Sequence, residues 1–361
     1  MSNHKIFWYN KAFTLESGIT LPGLHLAYHT YGTLNTSNNN AVWIFHALTA
    51  NSDPADWWPG LVGKNKLFDP AEHFIICVNM PGSCYGSIGP LEKKWETDEP
   101  FYHSFPFLTT RDMIRAYQLL KQELGITSIY IGIGGSMGGQ QLLEWAIEEP
   151  ALFKYIIPIA TNAWHSPWGK AFNASQRWCI ETDSSWKNSA INAGLEGMKL
   201  ARSIALLSYR HYKTYEVFQN DDNQEELDLY KAASYQHYQG QKLSKRFNAF
   251  SYYVLSKSMD SHNVGRGRKS VPDALQLITA STLVIGLQSD LLFPLDEQRY
   301  LAKHIPDARL AVIDSIYGHD GFLLEFGAIE KEIRAFLNEK NSTENVTESH
   351  DQMNFLINRI P

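Results

Sequence analysis

A serine set between glycines is the residue of this chain best placed to do nucleophilic chemistry. Ser136 lies in the segment Gly134-Gly-Ser-Met-Gly, which matches the pattern G-x-S-x-G. That pattern is typical of a sharp strand-to-helix turn that exposes the serine hydroxyl, and glycines beside it let neighbouring backbone approach. Free N–H groups at the start of the following helix would stabilise a developing oxyanion. The spacing therefore predicts that Ser136 is a nucleophile.

Two nucleotide-binding motifs fit this glycine-rich segment less well. A dinucleotide fingerprint, G-x-G-x-x-G, starting at Gly132 would need a third glycine where Met137 stands. A phosphate-binding P-loop would end in G-K-[ST], and no lysine follows these glycines. An ordinary glycine-rich turn between a strand and a helix remains the alternative.

Two further residues complete a candidate catalytic triad. Asp290 lies 154 residues after Ser136, and His319 follows 29 residues later. Serine, aspartate, histidine is the chain order of the α/β-hydrolase triad, in which His319 would take the serine proton and Asp290 would fix the imidazole tautomer. Asp314, five residues before His319, is a rival for the acid. No H-E-x-x-H or other metal-ligand spacing occurs, so a metal site is not expected.

The elements that must position these residues alternate between strands and helices. Apolar runs predict buried strands at residues 41–45, 73–79, 129–133, 155–160, 281–287 and 309–313. Such strands, interleaved with helices, favour an α/β fold with a mainly parallel sheet flanked by helices. Each triad member follows a strand, and open α/β sheets place their sites at these carboxyl ends. Leu48 follows the first of these strands, and its N–H is expected to form an oxyanion hole with that of Met137.

The alternation stops in the middle of the chain, which predicts an inserted subdomain. The core would comprise residues 1–160 and 273–338, with a helical lid at 161–272 and a polar C-terminal tail at 339–361. An insertion of that length is too long for a loop in a compact domain. It is rich in tryptophan, and residues 194–212 have helical spacing. A last helix is predicted from residue 322 to about 337.

Composition excludes several classes of function. The 361-residue chain is 44% hydrophobic with a net charge of −6, which gives no electrostatic case for nucleic-acid binding. Three cysteines cannot all pair, and none lies in a C-x-x-C, which favours a reducing compartment. The sequence has no secretion signal and no apolar stretch of 18 residues, so we expect a cytoplasmic protein without a membrane segment.

The chain resembles the homoserine O-acetyltransferase family of the α/β-hydrolase superfamily over roughly residues 5–340. The resemblance is carried by His46-Ala-Leu-Thr, Asp56-Trp-Trp, Ile76-Cys-Val-Asn, Cys84-Tyr-Gly-Ser, Gly134-Gly-Ser-Met-Gly-Gly, Tyr238-Gln-Gly, Asp260-Ser-His-Asn-Val-Gly-Arg-Gly-Arg and Gly318-His-Asp. Departures from the family pattern occur near the expected pocket, at Ser83, Ile88, Gln140 and residues 92–103. They leave the acyl donor and the acceptor open.

The resemblance implies a ping-pong acyl transfer. Acetyl-CoA would acylate Ser136, and the hydroxyl of L-homoserine would then take the acetyl group, a step of methionine biosynthesis that needs no permanently bound cofactor. Arg202 would bind the carboxylate of the acceptor with support from Tyr209, and Asp320 would bind its amino group. Succinyl-CoA as donor and L-serine as acceptor stay open. So do a plain serine esterase or hydrolase and a binding protein without catalysis.

The resemblance also implies a tunnel between core and lid, and a homodimer formed through the lid. An aromatic-rich lid would keep water from an acyl-enzyme, although the tryptophans could equally serve to pack the subdomain. Arg266, Arg268 and Lys269 would either meet the phosphates of CoA or form a solvated surface loop.

Overall fold

Most strands of the protein belong to one large sheet. The computed structural model describes residues 4–95, 97–223, 225 and 227–357. Within these residues the strands are β1 (Lys5–Tyr9), β2 (Phe13–Thr14), β3 (Thr20–Leu21), β4 (Leu24–Tyr31), β5 (Ala41–Phe45), β6 (Phe74–Val78), β7 (Ile129–Gly135), β8 (Phe153–Ile159), β9 (Ser281–Leu287) and β10 (Ala308–Ile313).

The sheet has eight strands in the order β1-β4-β6-β5-β7-β8-β9-β10, while β2 and β3 pair separately. β4 runs antiparallel to both of its neighbours, and the six strands from β6 to β10 are parallel. The predicted mainly parallel sheet is therefore confirmed. Its order places β7, which leads into Ser136, in the middle, where both faces of a strand are covered.

The alternating side chains of β5 show why these strands are apolar throughout. Trp43 and Phe45 face one layer of the core, and Val42 and Ile44 face the other. Because side chains alternate across a strand, a strand covered on both faces needs apolar residues at every position. The ring of Trp43 packs edge-on against Trp145, with 4.8 Å between ring centroids.

Helices cover both faces of the sheet. They are α1 (Pro54–Trp57), α2 (Thr110–Glu123), α3 (Met137–Glu148), α4 (Pro167–Thr182), α5 (Leu195–Tyr209), α6 (Tyr212–Phe218), α7 (Lys231–Ser244), α8 (Ala249–Asp260), α9 (Val271–Leu275), α10 (Leu295–His304), α11 (Gly321–Leu324) and α12 (Phe326–Ile357). We call α4–α8, which lie between β8 and β9, the lid helices. None of the helices in the described ranges combines the length and apolar character needed to cross a membrane.

The C-terminal helix differs most from its prediction. The helix expected from residue 322 to about 337 is divided into α11 and α12, and α12 continues to Ile357. The sequence from Ala328 to Ile357 contains neither glycine nor proline, so no residue in it forces the helix to end. The polar segment from residue 339 therefore extends this helix, and residues 358–361 lie outside the described ranges.

Candidate active site

Ser136 stands on a strained turn between β7 and α3. Its backbone has φ 57° and ψ −125°, a conformation that residues with a side chain rarely adopt. Hydrogen bonds hold it there: its N–H donates to the carbonyl of Ile159 at 2.9 Å, and its own carbonyl accepts from the Thr161 hydroxyl at 2.8 Å. Strain of this kind persists only where the surroundings determine the conformation. Here β8 and the segment after it supply those contacts.

Gly138 is needed because two backbones meet in this turn. A Cβ atom at this position would lie 2.2 Å from the carbonyl oxygen of Phe45, which ends β5. The first turn of α3 can therefore pack directly against the end of β5 only without a side chain at Gly138. This contact brings the loop after β5, with Leu48, next to the start of α3, with Met137.

The structure brings the three predicted triad residues together. His319 Nε2 lies 2.9 Å from Ser136 Oγ, and His319 Nδ1 lies 2.7 Å from Asp290 Oδ2. All three side chains are buried. With Nδ1 donating its proton to the carboxylate, Nε2 is left as the acceptor for the serine hydroxyl. This chain of hydrogen bonds can pass a proton from the hydroxyl to the imidazole.

Asp290 is held from its other side as well. Its Oδ1 accepts the N–H groups of Leu292 at 2.9 Å and Phe293 at 2.8 Å. The ring of Phe293 stacks on His319, with 5.0 Å between ring centroids. The rival Asp314 is exposed directly after β10 and makes no contact with the imidazole. Asp290 is therefore the carboxylate that orients His319.

Leu48 and Met137 occupy the two positions expected to offer N–H groups to an oxyanion. Met137 is the first residue of α3, so its N–H has no partner within the helix. Leu48 lies inside a turn closed by the Ala50 N–H and the Ala47 carbonyl, and it lines the cavity above Ser136. The two residues follow different strands, β5 and β7, whose ends lie side by side in the sheet.

His46 is a residue of this site to which sequence reasoning gave no role. Its Nδ1 donates to the Ala47 carbonyl at 2.9 Å, and its Nε2 accepts the Met80 N–H at 3.0 Å. The side chain is fully buried, and burial lowers the pKa of His46 to about 4. The neutral imidazole therefore joins, by hydrogen bonds, the loop after β5 that carries Leu48 (the Leu48 loop) to the loop after β6. The segment His46-Ala-Leu-Thr draws attention to His46. Its role could not be predicted from the sequence, because Met80, whose N–H it accepts, lies 34 residues away.

A cavity of about 370 Å³ opens above Ser136 and His319. Its core wall comes from the Leu48 loop, Trp57, Asp56 and the residues around His319. Its lid wall is mainly polar and basic, and consists of Arg202, Tyr209, Arg210, Gln239, Lys242, Leu243 and Arg246. The tryptophans of the lid helices do not line this cavity. Trp168 and Trp178 are 48% and 69% exposed, so these two tryptophans do not close the cavity, and Tyr209 is the aromatic residue of the lid helices that lines it among the described residues.

The three predicted acceptor-binding residues all line this cavity. The guanidinium of Arg202 stacks over the ring of Tyr209, 5.2 Å from its centroid, and has no carboxylate partner among the described residues. Asp320, beside His319, forms an ion pair with Arg210, with 3.1 Å between Nε and Oδ2. Arg210 is thus a cavity residue that sequence reasoning did not single out. Its position directly after Tyr209 was the available signal.

Arg266 and Arg268 lie outside this cavity, in a partly buried network of ion pairs. Arg268 and Arg111 both bind Glu144 on α3 at 2.7 Å, and Arg266 binds Glu16 at 2.8 Å. Burial alone would raise the pKa of Glu16, but the hydrogen bonds and charges of the arginines lower it to about 2. Both arginines are committed to carboxylates. These ion pairs occupy Arg266 and Arg268, which contradicts the predicted binding of CoA phosphates by these two arginines. Lys269 is 85% exposed, which agrees with the alternative of a solvated loop.

A chain of side-chain amides connects α3 to the partly buried carboxyl group of Glu297. Gln140 donates to Asn162 at 2.9 Å, and Asn162 donates to Glu297 Oε2 at 2.9 Å. Burial, together with the nearby charge of Asp290, raises the pKa of Glu297 to about 7 despite the hydrogen bond from Asn162. Within the described ranges, no group of three or more His, Cys, Asp or Glu side chains is arranged to hold a metal ion.

A mainly parallel sheet with serine, aspartate and histidine after β7, β9 and β10, in that chain order, defines an α/β hydrolase. The family with the alpha/beta hydrolase fold matches residues 40–326. The homoserine O-acetyltransferase of Cyclobacterium marinum is 44% identical over 337 residues, which cover 93% of this chain and 96% of the relative. The chain therefore belongs to the homoserine O-acetyltransferase family, whose members are acyltransferases.

Solved structures agree with this assignment. The homoserine O-acetyltransferase of Bacillus anthracis superposes with a TM-score of 0.85 at 25% identity, over 94% of this chain and 98% of that one. Esterase E22 superposes with a TM-score of 0.84 at 22% identity, over 93% of this chain and all of that one, which shows the shared fold alone. The predicted α/β-hydrolase fold and family resemblance are confirmed. The alternative of a binding protein without catalysis is wrong.

Proposed function

We propose that this enzyme transfers an acetyl group from acetyl-CoA to the hydroxyl of L-homoserine through an acyl-enzyme on Ser136. The observation that carries the proposal is the continuous hydrogen-bonded chain Ser136–His319–Asp290 at the floor of a cavity, with distances of 2.9 and 2.7 Å. An activated nucleophile of this kind divides acyl transfer into two steps. The side chains of the triad supply the nucleophile and the base for both steps.

In the first half-reaction Ser136 Oγ attacks the thioester carbonyl while its proton moves to His319 Nε2. The tetrahedral oxyanion accepts hydrogen bonds from the Leu48 and Met137 amides, which are the pair of donors that the turn geometry favours. The acyl C–S bond then breaks, and the CoA thiolate takes the proton from His319. Asp290 stabilises the transient imidazolium through its 2.7 Å contact with Nδ1.

In the second half-reaction the homoserine hydroxyl gives its proton to His319 and attacks the acyl-enzyme. The ester bond to Ser136 Oγ then breaks, and Oγ takes the proton back from His319. The acceptor is a zwitterion, so it needs a cation for its carboxylate and an anion for its ammonium group. Arg202 is the cation, because its half-buried guanidinium faces the cavity without a carboxylate partner among the described residues. The ring of Tyr209 supports the guanidinium through a cation–π contact. Asp320 is the anion, and the ammonium group replaces or joins Arg210 at its carboxylate.

A matrix of substrates tests the proposal. Acetyl-CoA and succinyl-CoA are each offered with L-homoserine, L-serine or water, and the products are identified by mass spectrometry. We expect O-acetylhomoserine as the dominant product and parallel double-reciprocal lines when one substrate is varied at several levels of the other. Intersecting lines would contradict a free acyl-enzyme. Dominant hydrolysis would identify an esterase, and dominant O-succinyl or serine products would change the donor or the acceptor.

The remaining parts of the proposal concern assembly and location. Four apolar side chains are 53–61% exposed, those of Leu200 and Leu207 on α5 and of Val217 and Phe218 on α6. Burial of these apolar side chains against a second copy would support a homodimer through the lid helices. Sedimentation should then give a dimer that Leu207→Arg converts to a monomer. All three cysteines are free, which fits a cytoplasmic enzyme of methionine biosynthesis.

A further inference from the structure

The cavity of this enzyme is basic although the chain as a whole is acidic. Four cationic side chains line it, those of Arg202, Arg210, Lys242 and Arg246, against the carboxylates of Asp56 and Asp320. Asp320 is already paired with Arg210. The net charge of the whole chain is −6, so this surplus of cations is a local feature of the cavity. It favours a substrate with several negative charges.

Lys242 lies in the last turn of α7, where its side chain is exposed at the cavity and has no partner among the described residues. A lysine at the end of a helix also interacts favourably with the helix dipole. That effect applies equally to Lys245, the C-cap residue of the same helix, which is exposed but does not line the cavity. Comparing the two lysines therefore separates the interaction with the helix dipole, which both share, from a contact with a ligand in the cavity, which only Lys242 can make.

The guanidinium of Arg246 is held within the protein by one of its nitrogens, while its other nitrogens keep N–H groups for a ligand. Its Nη1 donates to the Thr49 carbonyl and to the Tyr85 hydroxyl, the latter at 2.7 Å. Its Nε and Nη2 groups donate to no acceptor in the described part of the chain, and its guanidinium pairs with no carboxylate there. The Nη1 hydrogen bonds hold the guanidinium at the cavity, next to the Leu48 loop. A fork of N–H groups fixed in this way suits the oxygens of a phosphate.

We propose that Lys242 and Arg246 bind phosphate groups of the acyl-CoA donor. The inference rests on the proposed function and adds the subsite that holds the charged end of the donor while its thioester reaches Ser136. A CoA thioester is uncharged near the acyl group and carries its phosphates at the far end. Lys242 and Arg246, at and just after the end of α7, can bind these phosphates. Arg266 and Arg268, for which the sequence offered the same role as one of two alternatives, are paired with Glu16 and Glu144.

The test compares two thioesters that acylate Ser136: acetyl-CoA, and S-acetyl-N-acetylcysteamine, which carries no phosphate. Acylation is followed by intact mass after rapid quenching, without acceptor. For Lys242→Ala we expect kcat/KM with acetyl-CoA to fall about tenfold, the scale of one lost charge-assisted hydrogen bond. Lys242→Glu should cause a larger loss. The ratio of kcat/KM for the two thioesters should fall by the same factor, because the small thioester lacks the phosphate contact.

Lys245→Ala is the control and should leave this ratio within about twofold of wild type, since Lys245 does not line the cavity. An equal loss in Lys245→Ala would overturn the proposal in favour of general surface charge. An unchanged ratio in Lys242→Ala would overturn it directly.

Arg246 needs its own comparison because it also holds the Thr49 carbonyl. Arg246→Lys keeps the charge, and we expect it to recover most of the acetyl-CoA preference that Arg246→Ala loses. If Arg246→Ala slows both thioesters equally, Arg246 acts only through the Leu48 loop, and its part in phosphate binding is refuted. If the wild type is acylated by neither thioester, the proposed function itself fails, and this inference fails with it.

Discussion

The two walls of the active-site cavity are built in different ways. On the core wall, Ser136, His319 and Asp290 are buried, and each polar group points at another protein group. On the lid wall, the charged groups of Arg202 and Lys242 face the cavity without a carboxylate partner from the described part of the chain. Both walls enclose the same cavity of about 370 Å³.

The difference separates chemistry from recognition. Groups that transfer protons must be held before the substrate arrives, because reorganisation during the reaction would raise the barrier. Groups that recognise a charged substrate gain most when no protein charge competes with the ligand. Substitutions on the core wall should therefore reduce the rate of chemistry by orders of magnitude. Substitutions on the lid wall should reduce the use of one particular substrate.

The largest effect is expected at the nucleophile. Ser136→Ala removes the atom that carries the acyl group, so incubation with acetyl-CoA should add no acetyl mass, whereas the wild type gains one acetyl group per chain. Turnover should fall by at least about 10⁴-fold. Circular dichroism should show an unchanged fold. Equal labelling of the alanine variant would refute the assignment of Ser136.

Asp290→Asn should have the next largest effect. The amide no longer fixes the tautomer of His319 or stabilises the imidazolium, so kcat should fall by about 10³–10⁴-fold while the protein stays folded. Asp314→Asn is the matched control, since Asp314 is exposed and makes no contact with the imidazole. Near-normal turnover of Asp290→Asn, combined with slow turnover of Asp314→Asn, would mean that Asp314 and not Asp290 orients His319.

Sequence reasoning succeeded where a short motif or a repeated element carried the information. The turn around Ser136 and the strand ends before Asp290 and His319 are local patterns, and their order along the chain indicates that they converge. Contacts between distant segments leave no such pattern. The bond from Arg246 to the Thr49 carbonyl joins residues 197 positions apart, and backbone carbonyls have no sequence signature. The ion pairs of Arg268 with Glu144 were hidden for the same reason.

The lid wall is tested at Arg202. Arg202→Ala should leave acylation of Ser136 by acetyl-CoA within about twofold of wild type but slow deacylation by homoserine at least about tenfold, the cost of a lost charged hydrogen bond in a partly buried site. Quenched-flow measurement of each half-reaction separates the two. Lys199→Ala on the same helix, whose lysine pairs with Glu196 on the surface, is the control. Unchanged deacylation in Arg202→Ala would make Arg202 a surface residue.

The smallest effect concerns Glu297, which lies behind the core wall and has a pKa raised to about 7, mainly by burial. Because the folded protein holds this proton more tightly than the unfolded chain, stability falls as pH rises from about 4.5 to about 7. Glu297→Gln keeps the acceptor for Asn162 and should reduce that decline by roughly 1–2 kcal/mol.

Urea unfolding at about pH 5, 6 and 7, which spans this window, measures the effect. Asp296→Asn, an exposed neighbour paired with Arg299, should leave the slope unchanged. A slope that is the same in Glu297→Gln and wild type would mean that Glu297 is ionised in the folded protein at these pH values.

The hydrogen bonds and ion pairs at the two ends of the lid insertion have a mechanical consequence. At its start, Thr161 is bonded to the Ser136 carbonyl and accepts from Gln298; at its end, Arg268 is bonded to Glu144 on the helix that Ser136 begins. Both ends of the insertion are therefore bonded to α3 or to Ser136 directly before it, and the first end is also bonded to α10. Between these ends, the insertion also reaches the rim of the cavity, where Tyr209 packs against His319 and Arg246, after α7, donates to the Thr49 carbonyl. Because these bonds join the ends of the insertion to residues around Ser136, loss of either the ion pair or the hydrogen bond should disturb the lid helices and the nucleophile together.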